Sequence, residues 1–161
     1  MKRREVLKMG AAAAAAPALS RAAAKAKTRP VLFTAEQYDT VVSLTDAIIP
    51  GAKEAEVARY MDLILHDGPA TERDRFLTGL QWLNEYAVRT NRAPFLKLTP
   101  EQQVAILEVL DKGGPDVEEG HRFFRMAKSM TSQFYYSTAA GYRELNKGVR
   151  IPAPGKFGCQ A

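Results

Sequence analysis

The chain has 161 residues, a formal net charge of +5 and an isoelectric point near 9.4. Seven of its 23 basic residues but only one of its 18 acidic residues fall in residues 1–27, which leaves 16 basic and 17 acidic side chains in residues 28–161. The body of the chain is therefore near neutral, which argues against the basic surface of a nucleic-acid-binding domain.

The first residues have the layout of a twin-arginine export signal. Arg3 and Arg4 are followed by Leu7 and Lys8, and the run from Met9 to Ser20 has no charged side chain. A basic segment followed by an apolar one is typical of an exported protein. This alanine-rich run is too short to span a membrane core that is about 30 Å thick. We therefore predict a cleavable signal over residues 1–24.

Cleavage is predicted after Ala24, because the alanines at 22–24 offer the small residues that a signal peptidase accepts. The mature chain would then act in the periplasm. The twin-arginine translocase transports folded cargo, so the chain either holds a cofactor or travels with a protein that does. The alternative interpretation is a basic tail with an alanine tract and no export function.

Residues 34–145 are predicted to form one all-α domain, a compact bundle of about five helices. Apolar residues recur there at helical spacing, and no segment shows sustained strand alternation. Residues 25–33 would link this domain to the export signal, and residues 146–161 are predicted to form an extended C-terminal tail.

The first two helices have clear boundary signals. Thr34 and Gln37 form a capping box for the first helix, which stops at the proline-glycine pair at 50–51. The second helix is predicted to begin near Glu54 and to end at the glycine-proline pair at 68–69. The predicted buried faces are Tyr38, Val41, Val42, Thr45, Ile48 and Ile49 in the first helix, and Val57, Tyr60, Met61, Ile64 and Leu65 in the second.

Three further helices follow. Thr71 with Asp74 is predicted to open the third, and Thr99 with Pro100 is a strong start signal for the fourth. Asp116 is predicted to cap the fifth, after the glycines and proline at 113–115 have ended the fourth. The third helix has a predicted buried stripe of Phe76, Leu77, Leu80, Leu83 and Ala87. The apolar residues of the fourth helix are Val104, Ile106, Leu107 and Leu110, and those of the fifth are Phe123, Phe124, Ala127, Met130 and Phe134.

The aromatic run at the end of the fifth helix is a candidate protein interface. Phe134, Tyr135 and Tyr136 are consecutive, so they cannot all face one core, and the tail that follows contains Pro152 and Pro154. Exposed aromatic side chains beside such a tail suit a contact with another protein. The alternative is that Phe134 and Tyr135 are core residues and that Tyr136 packs under the tail.

The single cysteine, Cys159, is a second candidate contact. It has no partner within the chain for a disulfide, yet it would lie in an oxidising compartment. An unpaired cysteine in an exported protein indicates either a disulfide to another chain or a free thiol.

No residue pattern indicates catalysis, a metal or a cofactor in this chain. There is no glycine fingerprint, no nucleophile elbow and no haem attachment motif. His66 is placed to interact with a helix dipole, and His121 is best interpreted as an exposed polar residue. Scattered carboxylates most simply form solvated faces; these are Asp39, Asp46 and Asp62.

Four segments resemble the gluconate 2-dehydrogenase subunit 3 family. Residues 46–62 match its D-x-I-I-P … G-A-x-E-A-G-V-x-x-Y-I-D block, except that Glu56 stands where glycine is usual. Residues 98–103 and 134–137 match in place, and residues 154–159 resemble an F-P-G-C close from which the proline is missing. The resemblance extends in order over nearly the whole mature domain.

The resemblance implies a small, non-catalytic subunit bound to a large flavoprotein of the glucose, methanol and choline oxidoreductase type. Such flavoproteins hold FAD, oxidise gluconate, glucose, fructose or glycosides, and often pass electrons to a cytochrome c. The large subunit commonly lacks a signal of its own, so the small one supplies it to the twin-arginine translocase. The pair is then periplasmic, or membrane-associated through the complex.

We therefore expect an accessory (gamma) subunit that exports and stabilises an FAD-dependent sugar dehydrogenase, with Cys159 as a candidate for an intermolecular disulfide. One alternative is a stand-alone exported enzyme that uses His66, His121 or Cys159. Another is a periplasmic binding or scaffold module with a different partner.

Overall fold

The computed structural model describes residues 29–145. These residues form six α-helices and two short 3₁₀-helices and contain no β-strand, so the predicted all-α class is confirmed. The predicted export signal and the C-terminal tail lie outside the described residues. The helices are α1 (Ala35–Ile48), α2 (Val57–Asp67), α3 (Ala70–Asn91), α4 (Pro100–Lys112), α5 (Glu118–Ser137) and α6 (Ala139–Leu145), with 3₁₀-helices at Phe95–Lys97 and Pro115–Val117.

Helix α5 lies at the centre of the bundle and contacts all five other α-helices. Its Phe123 ring packs edge-on against Phe76 of α3, with the ring centroids 5.3 Å apart. Phe76 also contacts Phe33, which precedes α1. Gly79 of α3 permits this close approach, because a β-carbon at that position would lie 2.2 Å from the Phe123 ring. The core therefore joins α3, α5 and the segment that leads into α1.

The predicted capping box at Thr34 and the predicted helix start at Thr99 are both confirmed. The Gln37 amide donates to the Thr34 hydroxyl over 3.2 Å, and the Gln37 side chain accepts from the Thr34 amide over 3.0 Å. Thr99 and Gln102 make the same reciprocal pair at the start of α4. Each box satisfies amide groups that have no partner within the helix, which fixes where α1 and α4 begin.

Helix α2 begins at Val57, later than the predicted start near Glu54. The Asp46 side chain accepts hydrogen bonds from the amides of Gly51 and Lys53, at 3.1 and 3.3 Å. These bonds hold residues 50–56 as a series of turns, so the helix forms only after them.

Two further boundary predictions were wrong. Helix α3 begins directly after Pro69, and Thr71 lies inside it rather than capping it. Asp116 lies in the 3₁₀-helix before α5, whose N-cap is Val117 with no side-chain hydrogen bond. In both places a proline, Pro69 or Pro115, starts the turn earlier than the acidic or hydroxyl residue does. The short helix α6 was not predicted from the sequence.

Candidate functional site

The predicted interface segment at the end of α5 is divided between core and surface. Tyr135 is buried, whereas Phe134 and Tyr136 are half-buried. The Tyr135 hydroxyl donates a hydrogen bond of 2.8 Å to the carboxylate of Glu144 in α6, and this bond raises the pKa of Tyr135 above its ordinary value. Phe134 and Tyr136 therefore retain accessible surface, and Tyr135 joins α5 to α6.

Phe134 belongs to an apolar face that α2 and α5 share. Tyr60, Leu63 and Ile64 of α2 are 47, 36 and 53% exposed. The Tyr60 ring stacks on Phe134, with the ring centroids 6.5 Å apart. We call these four side chains the α2–α5 face. Contiguous exposed apolar side chains of this kind mark contacts with other proteins.

The prediction that Tyr60 and Ile64 belong to the buried face of α2 was wrong. Helical spacing assigned them to the core beside Met61 and Leu65, but both point outward. The buried face of α2 is displaced by about one residue, because Ala58 and Asp62 occupy the inner side in place of Tyr60 and Ile64. The buried residues of α2 are Val57, Ala58, Met61, Asp62 and Leu65.

Asp62 is the polar centre of this inner side. It is fully buried, and one carboxylate oxygen accepts hydrogen bonds from the amides of Leu32 and Phe33 at 3.0 and 3.1 Å. The other oxygen accepts from the Val31 amide at 2.8 Å and from the Arg59 guanidinium at 2.9 Å. We call this arrangement the Asp62 latch. It fastens residues 31–33 to α2 and fixes where the chain that follows the predicted export signal joins the domain.

The latch was not predicted, because Asp62, like Asp39 and Asp46, was expected on a solvated face. Asp39 is exposed as expected, whereas Asp46 is half-buried and holds the loop before α2. The local sequence contains no signal for the burial of Asp62, since its amide donors lie 29 to 31 residues earlier in the chain. Buried carboxylates are rare unless they are paired, so solvent exposure was the natural expectation.

The two histidines have separate surroundings. His66 is exposed in the last turn of α2, as expected. His121 is half-buried rather than exposed, and its Nδ1 donates a hydrogen bond of 2.7 Å to the carbonyl oxygen of Leu110. Since a carbonyl can only accept, Nδ1 carries the proton. This bond ties the start of α5 to the end of α4, which is a structural role.

Two general features of residues 29–145 bear on function. No group of three or more histidine, cysteine or acidic side chains in this part of the chain is arranged to bind a metal ion. None of the helices in the same range has both the length and the apolar character to cross a membrane.

The remaining predicted site residues lie outside the part of the chain that the structure describes, so their roles stay predictions. They are Arg3, Arg4, Leu7 and Lys8 of the export signal, and Pro152, Pro154 and Cys159 of the tail.

The sequence was compared with known proteins. The family model for gluconate 2-dehydrogenase subunit 3 matches residues 35–155, which is most of the chain. No curated protein and no solved structure gives a match.

Proposed function

This chain belongs to the gluconate 2-dehydrogenase subunit 3 family, and from that membership we propose that it is the non-catalytic small subunit of a periplasmic sugar dehydrogenase. Its partner is a large flavoprotein of the glucose, methanol and choline oxidoreductase type, which holds the FAD and oxidises gluconate, glucose or glycosides. A cytochrome c subunit is a further component that accepts the electrons. The small subunit supplies the export signal and stabilises the folded flavoprotein.

The α2–α5 face is the structural observation that supports this proposal. Tyr60, Leu63 and Ile64 expose apolar surface within little more than one helical turn, and Phe134 extends that surface onto α5. Such exposure does not stabilise an isolated domain, whereas the core of a subunit interface is apolar and rich in aromatic side chains. The flavoprotein would cover this face in the complex.

The export signal supports the same assembly. A twin-arginine signal serves folded cargo, and a flavoprotein must fold around its FAD before it is exported. We propose that one signal, centred on Arg3 and Arg4, serves both chains, because the two associate in the cytoplasm and cross the membrane together.

Replacement of both Arg3 and Arg4 by lysine tests this proposal. We expect the small chain and the flavoprotein to accumulate together in the cytoplasm, as measured by immunoblots of periplasmic and cytoplasmic fractions. Arg21→Lys, a change outside the arginine pair, is the matched control and should leave export unchanged. Export of the flavoprotein without the small chain would contradict the shared signal.

Cys159 provides a separate test of the partner. We propose that it forms a disulfide with the flavoprotein in the oxidising periplasm. A non-reducing gel of the periplasmic complex should show one band containing both chains, and this band should disappear in Cys159→Ser. If the native complex shows no reducible band, the disulfide is refuted, while the non-covalent assembly stands.

A further inference from the structure

A groove of about 1300 Å³ lies along α1, between the start of α2 on one side and the start of α4 on the other. The wall that contains the start of α4 is mostly apolar, because Leu96 of the preceding 3₁₀-helix and Val104 of α4 expose their side chains there beside Pro100. Its α2 wall is polar and includes Glu56 and Arg59. A ligand that fills the groove must therefore be apolar on one side and polar on the other.

The charges at the polar wall favour a cationic group. The charges that act on the half-buried Tyr38 are the cation Arg59 and the carboxylates of Asp62, Glu56 and Asp39. Arg59 is already neutralised by its ion pair with Asp62. With Arg59 paired, the groove's remaining charges are the cations Arg29 and Lys53 and the carboxylates of Asp39, Asp46 and Glu56, so negative charge is in excess by one.

The Tyr38 hydroxyl lies at the same point. Burial, together with the carboxylates that act on it and against the opposing effect of Arg59, raises the pKa of Tyr38 above its ordinary value. The hydroxyl therefore stays neutral at physiological pH. It makes no hydrogen bond to another described residue, so one of its lone pairs can accept from an incoming N–H.

Glu56 occupies its place at a conformational cost. Its φ is +56° and its ψ is 31°, which is the left-handed region that glycine adopts readily and glutamate does not. Glutamate here destabilises the turn relative to glycine, yet it places a carboxylate on the wall of the groove. A strained residue is a reason to look for a function at that position.

We propose that this groove binds an extended segment of the large subunit that has apolar side chains and a lysine or arginine. The apolar side chains lie against Leu96 and Val104, and the cation lies beside Tyr38, where the carboxylates of Glu56 and Asp39 act on it. The proposal rests on the proposed function, because it requires the large subunit as the partner. It adds a second contact, separate from the α2–α5 face, and assigns its chemistry.

Two substitutions at one position separate binding from folding. Glu56→Gly removes both the strain and the charge, so the urea midpoint of the full chain should rise while affinity for the purified large subunit falls about tenfold. Glu56→Gln removes the charge but keeps the strain, so affinity should fall similarly without a rise in the midpoint. Glu54→Gln, an exposed neighbour that does not line the groove, is the control and should change neither quantity.

A substitution on the apolar wall and the salt dependence of binding complete the test. Val104→Asp should weaken binding of the large subunit about tenfold without unfolding the domain, since Val104 is already exposed. Added salt should weaken binding of the unmodified chain more than that of Glu56→Gln. If the unmodified chain does not bind the large subunit, the proposed function fails. If it binds and these variants bind equally well, the assignment of the groove is overturned while the proposed function stands.

Discussion

The two sides of helix α2 differ in what they contact. On the inner side Met61 and Asp62 are fully buried, and both oxygens of Asp62 accept hydrogen bonds. On the outer side Tyr60 and Ile64 keep about half of their surface exposed. An aspartate is thus buried while a tyrosine and an isoleucine are not, which reverses the usual preference. We infer that the inner side determines the stability of the domain and that the outer side is available to a partner.

The largest effect expected within this comparison comes from Asp62→Ala. The change leaves the amides of residues 31–33 without their acceptor, the Phe33 amide being buried, and leaves Arg59 unpaired. We expect a loss of about 3 kcal/mol in the free energy of unfolding, measured by urea denaturation. The loss is limited because residues 31–33 can detach into water, which exposes Phe33 and costs about 2 kcal/mol of hydrophobic burial.

Hydrogen exchange distinguishes the latch from a general loss of packing. In Asp62→Ala the amides of residues 31–33 should exchange much faster than those at the centre of α5. Asp67→Asn, an exposed aspartate at the end of the same helix, is the control and should change stability by less than about 0.5 kcal/mol. Equal effects of the two substitutions would show that the latch does not stabilise the domain.

A smaller effect is expected from Arg59→Met, which removes the cation of the latch but keeps an apolar stem. The Arg59 side chain is 23% exposed, so solvent screens its ion pair, and Asp62 retains its three amide donors. We expect the free energy of unfolding to fall by about 1 kcal/mol, and we expect this loss to be smaller at high salt. Arg75→Met on α3 is the matched control. A loss as large as that of Asp62→Ala would show that the ion pair, rather than the three amide hydrogen bonds, provides the stability of the latch.

Local sequence was sufficient to predict the parts of the fold that depend on near neighbours. The capping box at Thr34, the start of α4 at Thr99 and the end of α4 at Gly113 involve residues within four positions of each other. Of the aromatic run at 134–136, Tyr135 is buried and Phe134 and Tyr136 are half-buried, while its role as a protein interface stays a prediction. These features follow from the helical period and from hydrogen bonds within one turn.

The latch and the groove could not be predicted in the same way, because they join residues that are distant in the chain. The amides that bind Asp62 come from residues 31–33, and the groove brings α1 together with the starts of α2 and α4. One feature of the turn before α2 is visible in the sequence. The family block has glycine where this chain has Glu56, and the left-handed backbone at that position explains why glycine is usual there.

The smallest effect on stability is expected from Ile64→Glu on the outer side of α2. Its side chain is 53% exposed, so a carboxylate there remains in water and the free energy of unfolding should change by less than about 0.5 kcal/mol. The same carboxylate would be buried without a partner if the flavoprotein covers the α2–α5 face. We therefore expect the flavoprotein to be lost from the complex on size-exclusion chromatography.

Val88→Glu on α3 is the matched control, because Val88 is exposed to a similar extent, 49%, but lies outside the α2–α5 face. It should leave both the stability and the complex unchanged. Loss of the complex in both variants would indicate a general effect of added negative charge. Retention in both would show that the flavoprotein does not cover the outer side of α2. Loss in Ile64→Glu alone, with the urea midpoint preserved, would establish that the two sides of this helix serve separate purposes, since neither Asp62→Ala nor Arg59→Met replaces a side chain of the α2–α5 face.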